Sequence, residues 1–336
     1  MKSPALRIFA LTAVLLLGIF YPLSAGQKKI VIGVSIPTQR DERWVKDAEK
    51  MRAVARDQGV ELKMQISDND AARQMSQCEN LLAQKIDILI LAPHDATSAS
   101  AIVDAAHREG VKVISYDRLV LYSDVDLYIS FDNVQVGRLQ GKYLTERVPR
   151  GKYVVLGGAP TDNNAKLFKQ GAMEYIQPLA DKGEIKIVMD QWIQDWQPTL
   201  AMNLMQNALT ANNNKIDAVL APNDNTAGGV IQALAQVGLD GKIPVTGQDA
   251  ELTGAERIVK GTQSMTIFKD TRLLATDAIL TAVKIVRGED PGATSRVNNQ
   301  EIDVPAILLT PVVVDKGNID QALIASGYLK REEVYK

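Results

Sequence analysis

Short apolar segments alternate with segments of helical periodicity along most of the chain, and this alternation restricts the fold more than any other feature. Trp44, Ala48, Met51 and Ala55 recur at the spacing of one helix face, directly after an apolar run that ends at Pro37. Further helices are predicted after a cap at residue 70 and over residues 97–108. Apolar runs predict strands at residues 29–36, 60–66, 86–91, 111–115 and 127–131.

The same alternation restarts at residue 153. Strands are predicted at residues 153–157, 185–190, 218–221 and 243–247, and helices at residues 166–179, 199–210 and 226–237. Strands rich in Val, Ile and Leu that alternate with helices are typical of parallel sheets covered on both faces. The chain of 336 residues therefore predicts an α/β fold with two similar doubly wound parallel-sheet domains.

The N-terminal 26 residues have the pattern of a cleavable signal peptide. A short basic start is followed by an apolar run at residues 8–17 and by the small residues Ser24, Ala25 and Gly26. A retained N-terminal anchor is the alternative for the same pattern. We expect a mature chain that works outside the cytoplasm.

Charge and cysteine content exclude several classes of function. The formal net charge of −2 provides no basic field for holding nucleic acid by its phosphates. The single cysteine, Cys78, excludes an internal disulfide, and with only His94 and His107 beside it a structural zinc site is not expected. Cys78 falls on an apolar helical spacing, which predicts a role in core packing.

Polar and aromatic residues follow the predicted strands in both blocks. Since ligands of open α/β sheets bind beyond the carboxyl ends of the strands, these residues are the candidates for a site. They are Arg43, Trp44, Asp117, Arg118, Asp162, Asn163, Asn164, Trp192, Trp196, Asn223, Asp224, Gln248, Asp249 and Lys269.

This set of side chains matches the chemistry of a sugar. Planar polar groups hydrogen-bond pairs of hydroxyls, and an aromatic face packs on the C–H face of a pyranose. Each residue also has a simpler interpretation when taken alone. Asp249 would then cap a helix, Asp117 would close a turn, Trp44 would belong to the core of its helix, and Lys269 would be a surface charge. Spacing does not decide between Trp192 and Trp196.

Motifs for nucleotide, calcium or ester chemistry are missing from the sequence. It has no Walker loop, no G-x-G-x-x-G, no complete nucleophile elbow and no calcium loop, so we expect no cofactor and no metal. His94 follows a strand, and a position on a surface loop is its common interpretation. Asp224 and Asp249 are the carboxylates that a sugar-active enzyme would use, which keeps that alternative open.

The chain resembles the periplasmic sugar-binding proteins of ABC importers, from about residue 28 to near the C-terminus. The segments that carry the resemblance are residues 42–44, 116–118, 128–133, 162–168, 209–217, 223–224, 247–250 and 261–263. Two positions depart from the family pattern: His94, where a tyrosine is more usual, and Pro222, directly before Asn223.

The resemblance implies a function, partners and contact residues. It implies a monomeric receptor that captures a monosaccharide by hinge closure and delivers it to an ABC permease, with a chemoreceptor as a further partner. Within the family the similarity points to D-xylose, with ribose or arabinose as alternatives. It favours Trp196 over Trp192. The sugar contacts that it implies are Arg43, Trp44, Asp117, Arg118, Asp162, Asn164, Trp196, Asn223, Asp249 and Lys269.

The resemblance also implies two domains joined by three crossing segments, near residues 131–132, 265–268 and 310–311. The expected N-terminal domain then consists of residues 27–131 and 266–310. The expected C-terminal domain consists of residues 132–265 and 311–336.

Overall fold

The computed structural model describes residues 29–336, so the predicted signal peptide lies outside the described residues. No helix between residues 29 and 336 has the length and apolar character needed to cross a membrane. The strands are β1 (Val31–Ile36), β2 (Glu61–Ile66), β3 (Ile88–Leu91), β4 (Lys112–Tyr116), β5 (Leu127–Phe131), β6 (Gly151–Gly157), β7 (Ile185–Trp192), β8 (Ala218–Leu220), β9 (Met265–Phe268), β10 (Ser295–Asn298), β11 (Asp303–Leu309) and β12 (Val312–Asp315). The α-helices are α1 (Glu42–Asp57), α2 (Ala71–Ala83), α3 (Ser100–Arg108), α4 (Asn133–Arg147), α5 (Asn163–Asp181), α6 (Pro198–Ala211), α7 (Asp224–Gln236), α8 (Leu252–Lys260), α9 (Thr271–Val286) and α10 (Arg331–Val334).

A seven-stranded sheet in the order β10-β11-β5-β4-β3-β1-β2 forms the first lobe. Its strands are parallel except for β10, which runs antiparallel to β11. Helices α1 and α9 cover one face, where Trp44 and Met51 pack with Ile279, and helices α2 and α3 cover the other. This arrangement confirms the predicted parallel sheet with helices on both faces. Cys78 is 1% exposed in the second of these cores, as predicted.

A three-stranded parallel sheet in the order β7-β6-β8 and an antiparallel pair of β9 and β12 form the second lobe with their helices. Helices α4 and α5 cover one face of the larger sheet, and α6 and α7 cover the other. The strand predicted at residues 243–247 is wrong in extent, because only a single bridge joins Val245 to Val219. Pro244 has no N–H for the ladder, which is limited to the bond from the Val219 N–H to the Pro244 carbonyl and the bond from the Thr246 N–H to the Val219 carbonyl.

The chain passes between the lobes three times. It leaves the first sheet after β5, it returns between β9 and α9, since α9 packs on α1, and it leaves again between β11 and β12. The carboxyl ends of β1 and β4 in the first lobe thereby face those of β6 and β8 in the second. The site described next lies between these two edges.

Candidate functional site

A small cavity lies between the lobes. All ten residues predicted as sugar contacts line it, and three further residues complete its wall. These three are Asp41, Phe168 and Gln248. Gln248 was a candidate from its position after a predicted strand, but it was not among the predicted sugar contacts. The lining of the cavity is Asp41, Arg43, Trp44, Asp117, Arg118, Asp162, Asn164, Phe168, Trp196, Asn223, Gln248, Asp249 and Lys269.

Alternating charges form the floor of the cavity. Arg43 Nη1 lies 2.8 Å from Asp117 Oδ2 and 3.8 Å from Asp249 Oδ1. Lys269 Nζ lies 3.1 Å from Asp249 Oδ1 and 3.9 Å from Asp117 Oδ2. Burial alone would raise the pKa of Asp117, but the Arg43 guanidinium and the Lys269 ammonium outweigh it and lower that pKa. Asp117 is therefore an ionised acceptor.

Arg43 is fixed from behind by a second carboxylate. Its Nε and Nη2 donate to Asp47 Oδ2 at 3.2 and 3.0 Å, and the Tyr116 hydroxyl donates to Asp47 Oδ1. Burial raises the pKa of Asp47 to about 6, although Arg43 opposes the rise. The arrangement locks the guanidinium in one orientation toward the cavity.

The backbone of Asp117 connects the two lobes. Its φ of 59° is left-handed, directly after the end of β4. Its carbonyl oxygen accepts hydrogen bonds from the hydroxyls of Tyr128 at 2.9 Å and Ser130 at 2.6 Å, and from Asn164 Nδ2 at 2.9 Å. Asn164 belongs to the second lobe, so a buried hydrogen bond between the lobes holds this turn.

An ion pair also crosses between the lobes beside the cavity. Arg118 Nε in the first lobe lies 2.8 Å from Asp162 Oδ2 in the second, and both side chains are buried. Burial raises the pKa of Asp162, and the guanidinium of Arg118 opposes that rise. The backbone N–H of Ala96 donates to the carbonyl of Thr161 at 2.9 Å in the same region. The lobes are thus in direct contact, and the structure is a closed one.

Helix capping explains two site residues, but not Asp249, for which the sequence offered it. Asp249 does not cap α8, whose N-cap is Glu251, and it has a φ of 92°. Asp162 instead caps α5, and Asn223 caps α7 through its side-chain oxygen. Both caps present the side chain at the start of a helix, on the cavity wall.

Three aromatic rings supply the apolar part of the wall. The Arg43 guanidinium carbon lies 4.3 Å from the ring centroid of Trp44. Phe168 packs edge-on against Trp196, with ring centroids 6.4 Å apart. Trp196 needs Gly158 behind it, since a Cβ there would lie 2.1 Å from Cη2 of the indole. Rings and charged groups therefore face the same small space, the combination expected for a sugar.

The two residues that sequence spacing left undecided have different places. Trp192 is 38% exposed at the end of β7 and does not line the cavity, whereas Trp196 does.

His94 is not the surface residue that its loop position favoured, because its side chain is only 11% exposed. Its Nε2 lies 3.8 Å from Asp195 Oδ1 across the gap between the lobes. Burial, followed by the charge of Arg118, lowers the pKa of His94.

Three polar atoms in the cavity wall have no hydrogen-bond partner within residues 29–336. They are the indole Nε1 of Trp196, Oε1 of Gln248, and Oδ1 of Asp249, which has only the ion contacts given above. Leaving a buried donor or acceptor unpaired costs about 1–3 kcal/mol, so a ligand rich in hydroxyls would stabilise this wall. No His, Cys, Asp or Glu group within the described part of the chain has the arrangement of a metal site.

The carboxylate pair considered for an enzyme is not assembled in the cavity. Asp224 is 0% exposed, and its oxygens accept from Gln263 Nε2 at 2.6 Å and from the Thr266 hydroxyl at 3.0 Å. It does not line the cavity that contains Asp249.

The fold and the cavity define a two-lobed α/β binding protein. The family model described as periplasmic binding protein domain matches residues 32–290, so the chain belongs to this family. The predicted family and fold class are confirmed.

Similar proteins include the D-xylose-binding periplasmic protein of Escherichia coli (strain K12), with 46% identity over 93% of this chain and 94% of that protein. The multiple sugar-binding periplasmic receptor ChvE of Rhizobium radiobacter is 35% identical over 97% of this chain and 99% of its own. A solved carbohydrate transporter solute binding protein from Chloroflexus aurantiacus, in complex with D-glucose, has a TM-score of 0.85 and 35% identity. That match covers 91% of this chain and 98% of the other. These three are named as binding proteins or as a receptor, not as enzymes.

Proposed function

We propose that this protein is a periplasmic receptor that captures D-xylose between its lobes and delivers it to an ABC permease. The observation that carries the proposal is the cavity itself, where three charged pairs and two tryptophans from both lobes converge. The names of the relatives support the sugar class, and the D-xylose-binding proteins among them share 46% and 44% identity with this chain.

The proposed contacts are the ten residues predicted from the sequence, and they come from both lobes. Arg43, Trp44, Asp117 and Arg118 lie in the first lobe, and Lys269 follows β9 at a crossing between the lobes. The remaining five are in the second lobe: Asp162, Asn164, Trp196, Asn223 and Asp249. A sugar that touches both sets binds the closed form better than an open one, and so drives closure.

We further propose that the lobes are the two domains of the receptor and that the three crossings form its hinge. A monomer with such a hinge presents a different outer surface when closed, and a permease or a chemoreceptor can distinguish that surface from the open form. An exported chain requires residues 1–26 to act as the signal peptide.

Calorimetric titration of the purified protein with D-xylose, D-ribose, L-arabinose and D-glucose tests the function. We expect one-to-one binding of D-xylose with a Kd on the order of 1 μM, about −8 kcal/mol, and much weaker binding of the other sugars. A Lys215→Ala variant, changed at an exposed position outside the cavity, serves as the control and should bind equally well. The absence of heat with all four sugars would refute the proposal.

A receptor for several monosaccharides is the second candidate. It is favoured by the relatives ChvE and SbpA, whose names describe multiple sugar binding, and by the similar solved structures that contain glucose. Comparable Kd values for D-xylose and D-glucose in the same titration would select it over a dedicated xylose receptor.

A further inference from the structure

A group of carboxyl side chains meets across the gap between the lobes, at the rim of the cavity. Asn225 Nδ2 in the second lobe lies 3.0 Å from Oδ1 of Asp41 in the first lobe. The same nitrogen lies 3.4 Å from Oε1 of Glu251 in its own lobe. Asp41 is 4% exposed and Glu251 is 2% exposed. One amide therefore bridges two buried carboxyls that belong to different lobes.

The charged groups that act most strongly on Glu251 are all acidic. They are Asp224 and Asp249 from its own lobe, and Asp41 and Glu42 from the start of α1 in the other. Glu42 contacts the second lobe directly, since its Oε2 accepts the N–H of Leu252 at the start of α8, at 2.9 Å. Closure thus adds two carboxyls to the two that already surround Glu251.

Two cations of this region contact other members of the group. Arg257 donates to the backbone carbonyl of Asp224, at 2.6 Å, and Lys46 Nζ lies 2.6 Å from Glu42 Oε1. The charge of Arg257 also acts on Glu251, but less strongly than the four acidic groups do. Arg40 Nε lies 4.0 Å from Asp41 Oδ1, and the charge of Arg118 also acts on Asp41. Burial and then the four acidic neighbours hold the pKa of Glu251 well above its ordinary value. Burial likewise raises the pKa of Asp41, and Arg40 opposes that rise.

We propose that closure on the sugar takes up a proton at the Glu251–Asn225–Asp41 contact, so that sugar affinity increases as the pH decreases. The inference rests on the proposed function, since it requires a sugar that closes the lobes. In an open form, Asp41 and Glu42 move away from Glu251 and water reaches its carboxyl, so the proton is held less tightly. Proton uptake and sugar binding are then linked: each favours the other.

His94 acts in the opposite direction and defines the pH range of the test. It faces Asp195 across the lobes, with Asp95, Asp162 and Arg118 nearby, and burial lowers its pKa in the closed form. Closure would therefore release a proton from His94 at acidic pH. Above its ordinary pKa of about 6.5 this imidazole becomes increasingly neutral in both forms, so at pH 7.5 the acidic contact dominates.

Calorimetry of D-xylose binding at pH 7.5 in phosphate, HEPES and Tris measures the protons exchanged. These buffers differ in ionisation enthalpy, so the slope of the observed binding enthalpy against the buffer ionisation enthalpy gives the number of protons taken up. We expect roughly half to one proton per sugar, and a Kd that increases several-fold between pH 7 and pH 8.5. Glu251→Gln keeps the size and the acceptor oxygen of the side chain and should remove most of both effects. Glu42→Gln should reduce them in part.

The matched control is Glu256→Gln, on the same helix α8, where the carboxylate lies 3.8 Å from Lys260 Nζ. Glu256 is not among the groups that act most strongly on Glu251. The Glu256→Gln variant should retain the full proton uptake. Sugar binding with no dependence on the buffer in the unmodified protein would overturn this inference and leave the proposed function intact. An unchanged slope in Glu251→Gln would also overturn it. The absence of D-xylose binding in every buffer would refute both this inference and the proposed function.

Discussion

Replacement of Asp249 by asparagine isolates one charge at the centre of the proposed site. Asp249 Oδ1 lies 3.1 Å from Lys269 Nζ and 3.8 Å from Arg43 Nη1. The residue has a φ of 92°, which asparagine tolerates far better than alanine does. Asp249→Asn therefore keeps the shape and the backbone and removes only the negative charge.

The expected loss of affinity follows from two contributions. A hydrogen bond from a sugar hydroxyl to a carboxylate contributes about 1.5–3 kcal/mol, against about 0.5–1.5 kcal/mol for a neutral acceptor. Closure also buries Lys269 and Arg43 with one carboxylate fewer, which leaves Asp117 as their shared acidic partner in the cavity. Together we expect a loss of about 2–3 kcal/mol, equivalent to an increase in Kd of about 30- to 150-fold.

Calorimetric titration with D-xylose measures this change, and thermal unfolding without sugar shows whether the variant is folded. Asp68→Asn is a matched control, since Asp68 also has a left-handed φ, of 52°, but is exposed and does not line the cavity. We expect the control to bind like the unmodified protein. An Asp249→Asn variant that unfolds cooperatively and binds D-xylose with unchanged affinity would remove Asp249 from the site.

Three further predictions concern packing, reactivity and the aromatic wall. Trp196→Ala should weaken D-xylose binding at least tenfold in the same titration, because it removes a ring and an unpaired N–H from the cavity. Gly137→Ala should lower the free energy of unfolding by about 2–4 kcal/mol in urea melts, because the added Cβ would lie 1.9 Å from the Phe168 carbonyl oxygen. Gly228→Ala is the control: its Cβ would meet only the side chain of Arg257, so the free energy of unfolding should change by less than about 1 kcal/mol. Cys78 should react with a thiol reagent only after denaturation, because burial leaves it 1% exposed and raises its pKa to about 11; rapid labelling of the native protein would contradict its core position.

The order of strands and helices was predictable because each buried element repeats with its own period. The first lobe has the clearest pattern, with strands such as Ile88–Leu91 that are buried on both faces. The segment at residues 243–247 is interrupted by Pro244 and forms only one bridge, because Pro244 lacks an N–H for the ladder. The proline is visible in the sequence, but the extent to which it shortens the strand is not.

The candidate site was predictable because parallel strands bring their carboxyl ends to one edge. That rule and the family resemblance together place ten residues, and all ten line the cavity. Phe168 was missed, although it follows Asn164 by four positions on α5 and therefore shares its helix face. Asp41 was missed because its place in the wall depends on the angle between the lobes, which no local pattern encodes.

The pairing of charges was also beyond the sequence. Asp47 lies one helical turn after Arg43, a spacing that permits contact, but the hydroxyl of Tyr116 completes the arrangement from a different strand. Similarly, the contact of Asp41, Asn225 and Glu251 joins residues about 180 positions apart along the chain. Interactions of this kind arise only when both lobes are folded and in contact.

A crystal structure of the protein grown with D-xylose tests the central claim most directly. We predict one sugar ring in the cavity between the lobes, with hydroxyls bonded to Asp249, Asn223 and Arg118, and with Trp196 against one face. The closed arrangement of the lobes, including the pair of Arg118 and Asp162, should be retained. A cavity without sugar at saturating D-xylose, or a sugar bound elsewhere on the surface, would contradict the proposed site and its function.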